Sequence, residues 1–402
     1  MSAVRLRATV LVATASLGLG LGLASAPVSA APAPSLASET GAKRYVYDVR
    51  TGYTTDPQAA KEVKALLAKL PKDWMAKRNA FLAKQGLPHG PIQGAVESYL
   101  KGETCQPTAL DGYVTRLLNG IPINRLFVLA ILGVFDYPTY DAVFYGSKTN
   151  PDYALTPGTT GKVRGTMAVA RGFWDIKNGD IDVMAMTSDM VVDRPRVIRI
   201  ISLMFGTTSA EAAELADLLI PLIKDTTALR GGNNPIFSLN AFAFTAEGEQ
   251  DPIFNGISDR IVMGEGIIKA LRDTGNIEVG PQMVFSHEFG HHIQLENHAY
   301  PATTSPENTR MMELMADAYA TYLDAHRKGL NFNMDRVNKA VEVAHLVGDC
   351  STDSNGHHGT PQQRARAAAW GAALAKKNGV NVLPSKTVQA LFLKALPGIL
   401  AG

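Results

Sequence analysis

Between Val284 and Gln294 the chain reads Val-Phe-Ser-His-Glu-Phe-Gly-His-His-Ile-Gln. His287 and His291 are four residues apart, so on a helix their rings leave one face about a turn apart, as two ligands of one ion must. Glu288 leaves from nearly the same side and is placed to take a proton from water rather than to bind the ion. Val284, Phe285, Phe289 and Ile293 predict a buried helix face. Gly290 weakens such a helix relative to alanine, and close packing beneath the site is the expected return. The expected fold therefore buries a helix here and keeps room beside it for a cation; two core or surface histidines that happen to be four apart are the alternative. Eight of the nine histidines lie from His287 to His358, so the imidazole chemistry is confined to one late segment.

Ser305-Pro306-Glu307 predicts the start of the next helix, with a capping serine and proline in the first turn. That helix carries Glu313 and Asp317 towards Gly329. A carboxylate at Glu313 beside two imidazoles makes a three-ligand site with one position open, the arrangement of a catalytic zinc ion. Asp317, one turn on, is placed to accept the second ring N–H of a ligating histidine. The alternative, a solvated acidic face, is opposed by the Met, Leu, Ala and Tyr around both residues.

Thr360, Pro361 and Gln363 form a capping-box pattern that starts a further helix through Ala367 to Leu374. His357 and His358 stand just before it, and one of them is expected to donate to a developing oxyanion. Arg364 is expected to supply charge or to tie this loop down. His292, His298, His326 and His345 are read as surface or packing residues. Upstream, Pro235 to Phe244 suits a strand with Ile236, Phe237, Leu239, Phe242 and Phe244. As a sheet edge it would take an extended peptide by strand addition; an ordinary core strand fits the same residues equally well.

His-Glu-x-x-His followed by Glu313-Leu314-Met315-Ala316-Asp317 resembles the gluzincin class of zinc metallopeptidases. With Gly356-His357-His358-Gly359-Thr360-Pro361-Gln362-Gln363-Arg364, these strings are similar to the bacterial neutral zinc metallopeptidase family. The likeness covers residues 235 to 370 and implies His287, His291 and Glu313 as zinc ligands with Glu288 as general base. It also favours His358 over His357 as the catalytic helper. Asn240-Ala241-Phe242-Ala243 is similar to a segment that, in several metallopeptidases including the CAAX-prenyl protease type, lies on the strand lining the cleft. Asn240, Ala241 and Phe242 are accordingly the expected substrate-binding edge. The prenyl proteases are membrane-embedded, and this sequence shows no comparable spanning segments.

Residues 1–30 read as a secretory signal: Arg5 and Arg7, an apolar run from Ala8 to Leu23, then small residues with cleavage expected after Ala30. The leader holds two arginines and no acid, so the rest of the chain has 39 − 2 = 37 basic against 37 acidic groups. That balance gives no support for nucleic-acid binding by counterion release, and once the signal is cut no stable membrane insertion is expected. Cys105 and Cys350 are the only cysteines. In an oxidising compartment they are expected to pair, and any metal must rely on histidine and carboxylate.

Residues 31–42 read as a flexible lead-in. Pro57 to Gln85 shows helical spacing, and Leu126 to Phe135 is a buried helix or strand too short to span a bilayer. From Gly161 to Val192 the pattern suggests strands, Met167–Ala170 and Ile181–Met186, joined by an Asn178-Gly179 hairpin. A helix capped by Ser209 follows, with Pro221 inside it. The expected organisation is a signal at 1–30, an α-rich region of open role at 31–190 (scaffold, propeptide or substrate-binding unit) and a metallopeptidase domain at 191–402. The fold class expected is α+β, a mainly helical zincin-like domain with a small edge-strand sheet. The expected activity is a secreted zinc endopeptidase acting on peptides or proteins. A non-peptide zinc amidohydrolase or esterase, a catalytically silent zinc-binding protein and a latent zymogen are the alternatives.

Overall fold

A computed structural model describes residues 13–14, 47–48, 52–84, 108–349 and 356–401. The expected cleavage site at Ala30, the lead-in at 31–42 and both Cys105 and Cys350 lie outside the described residues.

The fold is helix-rich α+β. Two short strands, β2 (Tyr47–Asp48) and β3 (Tyr53–Thr54), pair antiparallel beside α1 (Pro57–Leu67). The single helical run expected from Pro57 to Gln85 is divided: α2 (Trp74–Lys84) is separate. Pro71, which cannot continue an α-helix, lies in the break. Then come α3 (Ala109–Leu118), α4 (Ile123–Ile131), α5 (Tyr137–Tyr145) and α6 (Thr160–Phe173). The apolar run from Leu126 is thus mostly helix, buried on every side. No single helix among the described residues is long and apolar enough to cross a membrane.

The expected strand at Met167–Ala170 is helix instead, and there is no hairpin at Asn178-Gly179. Val163, Thr166, Met167, Ala170 and Phe173 recur every three or four residues and bury one helical face. That 3.6-residue period governs the segment, and the four apolar residues read as a strand are one part of it. The second expected strand does form, as β4 (Asp182–Met186), but its partner lies about eighty residues downstream.

Next are α7 (Arg194–Phe205) and α8 (Ser209–Lys224). Thr208, not Ser209, caps α8: it accepts from the Glu211 N–H while the Glu211 side chain closes the capping box. Pro221 sits inside this helix, as expected. Pro235–Ser238 is a 3₁₀ turn capped by Asn234, so only Ala241–Phe244 of the expected strand is extended, as β5. Asn240 immediately precedes it. With β6 (Arg260–Gly264) and the two-residue β1 (Ala13–Thr14), the sheet runs β1-β5-β6-β4. β6 pairs antiparallel with β5 and parallel with β4.

The last helices are α9 (Glu265–Asp273), α10 (Gly280–Glu296), α11 (Pro306–Ala325), α12 (Met334–Leu346), α13 (Pro361–Asn378) and α14 (Ser385–Ala401). Ser305 caps α11 and the Thr360–Gln363 box caps α13, as the sequence predicts. Each such cap is worth about 1 kcal/mol. α10 is buried on nearly every face from Gly280 to Gln294, which explains its lack of a polar stripe. It packs against β5, α6, α11 and α12. A Cβ on Gly290 would stand 3.1 Å from the Ala316 backbone, so the missing side chain is what lets α10 and α11 approach.

One hydrophobic core runs from Ala59 to Ile399 and spans the expected boundary at residue 190. β4 lies before that boundary and pairs with β6 behind it. Phe173 and Trp174, at the end of α6, stack edge-on or tilted against Tyr319 and Tyr322 of α11. The N-terminal half therefore supports the helix that carries Glu313.

Candidate metal centre

α10 presents His287 and His291 one turn apart, and α11 brings Glu313 across to them. Their ligand atoms lie within 4.8 Å of one another, and all three residues are buried. His287 Nε2 and His291 Nε2 are 3.1 Å apart; Glu313 oxygens stand 3.3 Å from the first and 3.4 Å from the second.

The outer ring nitrogens explain this convergence. His287 Nδ1 is 2.9 Å from Asp317 Oδ1, and His291 Nδ1 is 2.9 Å from Gln294 Oε1. Gln294 donates its amide to the Met312 carbonyl at 2.7 Å, which fixes its oxygen as the acceptor facing His291. Both rings thus carry a proton on Nδ1 and turn Nε2 to the centre, the orientation an outer hydrogen bond imposes on a ligating histidine. Lone pairs that converge on two carboxylate oxygens repel unless a cation lies among them.

The charge balance agrees. Arg364 is almost wholly buried and donates to both Asp317 oxygens at 2.8 Å, and to Glu313 at 3.3 Å. Two carboxylates, Glu313 and Asp317, meet this one guanidinium, leaving one negative charge for a bound cation to offset. Burial pushes Glu313 up, but His358, His291 and His287 together hold it well below the usual carboxylate range. Burial also opposes ionisation of Asp317, and Arg364 and His287 keep it lowered. For His287, burial pulls the ring down, yet Asp317 and Glu313 outweigh it and lift it to about 10. Positive charge is favoured at this nitrogen, and a metal supplies it as well as a proton does. The residues fit a divalent cation held by two imidazoles and a carboxylate.

Glu288 stands apart from this network. It is 0% exposed, and neither carboxylate oxygen has a hydrogen-bond partner among the described residues. Burial raises it to about 8, Glu313 adds to the rise, and His287 and Arg364 oppose it. The Ala243 N–H of β5 faces the same carboxylate. A buried acid left unpaired costs stability, and such a group beside a cation site is suited to exchanging protons.

His358 lies with Nδ1 2.9 Å from Glu313 Oε2, while His357 turns away and places Nδ1 2.6 Å from Asp349. Arg364 does tie the segment down, through Glu313 and Asp317. Asn240 is 0% exposed, with neither side-chain polar atom partnered among the described residues. Ala241 and Phe242 begin β5, whose outer side is paired with β1 through Thr14 opposite Phe242 and Ala13 opposite Ala243. His292 and His326 are buried packing residues, held by the Arg260 and Asn381 carbonyls.

Two residues near the site escape the sequence reading. Gln294 is three residues after His291, so helical spacing alone could have found it. Tyr300, whose hydroxyl lies 3.4 Å from His291 Nδ1, follows the helix in an irregular segment and has no sequence signal.

Behind His287, Ser286 donates to Asp324 Oδ1 at 2.7 Å, and Asp324 Oδ2 has no partner among the described residues. Burial pushes Asp324 from 3.8 to about 7, against the Ser286 bond and Arg336. The unfolded chain releases this proton first, so stability falls as pH rises from about 4 to about 7 and stays lower above that. Asp324→Asn keeps the Ser286 bond without the charge. Thermal melts are expected to show it more stable than wild type near pH 8 and little different near pH 4; equal melting points at both would contradict the shift.

Comparison with protein-family models, with curated proteins and with solved structures finds no match.

Proposed function

We propose that this chain is a secreted zinc-dependent endopeptidase with a gluzincin-type ligand set. The observation that carries the reading is the convergence of His287, His291 and Glu313 beside an unpartnered, buried Glu288. Two nitrogens and one carboxylate suit zinc and leave a coordination position open. Bound zinc supplies the Lewis acidity that polarises a scissile carbonyl and acidifies water. Glu288 takes the water proton and delivers it to the leaving nitrogen. His358 stands at the Glu313 side, where its imidazole can donate to the developing oxyanion. Ala241 and Phe242 of β5, with Asn240 just before it, are assigned to the substrate's path. Removal of the leader takes β1 with it and frees the outer edge of β5 for an extended peptide.

A small cavity of about 20 Å³ beside Glu288 is lined by Ile267, Met283, Val284, Val343 and Val347. It also borders His287, Asp317 and Arg364, and because Glu288 lines it and delivers the proton, we assign it to the side chain of the residue that supplies the leaving nitrogen. Its size and apolar walls suit a small aliphatic chain.

Purified full chain is expected to cleave unfolded casein, to stop with a chelator and to recover with zinc. Sequencing is expected to find new N-termini that begin with alanine or valine. Cleavage that persisted in chelator would remove the metal from the mechanism. The depth of the site favours one second reading: His287, His291 and Glu313 are each less than 5% exposed, as a zinc amidohydrolase or esterase for small substrates would need. Hydrolysis of small amides or esters with intact casein would decide for it.

A further inference from the structure

Residues 357–360 belong to neither helix nor strand, so no ladder of backbone bonds holds His358 in place. In an extended segment, neighbouring side chains point to opposite sides. His358 accordingly faces Glu313, and His357 faces Asp349. Asp349 is 2% exposed and binds this segment at three points. Its Oδ1 is 2.6 Å from His357 Nδ1, its Oδ2 accepts from the His358 N–H at 2.6 Å, and its own N–H donates to the Gly359 carbonyl at 2.9 Å. Short bonds to a carboxylate are stronger than neutral ones. Gly359 completes the bend with φ +96, where a Cβ would press on Leu314 at 3.1 Å. The other end of the clamp is anchored too: Thr108 Oγ1, at the start of α3, donates to the Leu346 carbonyl at 3.1 Å.

We propose that Asp349 is a positioning residue that sets His358 against Glu313 and acts on the metal site through His358. The proposal rests on the metallopeptidase reading for its catalytic consequence, and on the ligand geometry alone for its effect on metal binding. Arg364 holds Glu313 from one side; the Asp349-braced imidazole holds the same Oε2 from another. Loss of the brace lets that ring leave, and the ligand carboxylate loses the imidazole that stands 2.9 Å from Oε2.

The test is a double-mutant cycle in the full chain with Asp349→Asn, His358→Ala and the pair. Asn keeps the size of the side chain but cannot serve as an anionic acceptor for both donors. Zinc affinity is read by competition with a chelating dye, and kcat and KM on a casein-derived peptide. Each single change is expected to weaken zinc about 10- to 100-fold, and the pair no more than the stronger single change. kcat is expected to fall in Asp349→Asn with KM within about twofold, as for a residue that orients a group acting in the transition state. Additive losses of zinc affinity, or wild-type affinity in Asp349→Asn, would overturn the proposal. If Asp349→Asn does not fold, Asp349→Glu, which keeps the charge but displaces it, is read in the same cycle. Should the wild type hydrolyse nothing, the peptidase reading fails and the zinc cycle alone still decides on Asp349.

Discussion

Glu288→Gln is expected to keep its zinc and lose about 10³-fold in kcat. The amide matches the carboxylate in shape, so α10 has no reason to move, but it cannot accept the proton that water must give up. Glu288 takes no part in the cluster of ligand atoms, which is why metal content should survive. Its two oxygens are buried without side-chain partners among the described residues, so an amide of the same shape gives up no hydrogen bond. The melting temperature of the variant is therefore expected to be no lower than that of wild type. Metal content by atomic emission and turnover of a casein-derived peptide check both halves. Wild-type turnover in this variant would sink the assignment, and loss of zinc would make Glu288 a ligand.

Arg364→Leu is expected to destabilise the protein by about 3–5 kcal/mol, the range for removing one partner of a buried ion pair. The guanidinium is 1% exposed and donates to both oxygens of Asp317 and to Glu313. Leucine leaves those two carboxylates in the core with only imidazoles to answer them. Arg364→Lys keeps a charge but not the planar fork that meets both Asp317 oxygens, so it should fall between the two. Urea unfolding of the three proteins, each with and without zinc, reads the effect. A loss below about 1 kcal/mol would show that cations other than Arg364 neutralise this pair.

Much of the candidate site is legible in the sequence because its parts are local. The spacing of His287 and His291, the Ser305 cap and the Thr360–Gln363 box each depend on residues within four positions of one another, which a helix brings together whatever else the chain does. Asp317 could be matched to a ligating histidine because one helical turn separates it from Glu313. For Arg364 the sequence suggests a role but no partner, since Glu313 and Asp317 are about fifty residues away. The segment at 160–173 misled for a related reason: four apolar residues in a row fit a strand locally, and the buried helical face emerges only over the full fourteen.

The sequence by itself determined the residue types of the candidate metal site and the helix that carries two of them. These follow from short-range stereochemistry and composition. The tertiary structure supplied the geometry behind the preference for His358, whose ring stands against Glu313 while His357 turns to Asp349. It alone paired β4 with β6 in parallel and set Tyr300 behind His291. It also joined the N-terminal half to the site helix through Phe173 and Trp174. Contacts between residues far apart in the chain depend on how whole elements pack, and no local pattern encodes that packing.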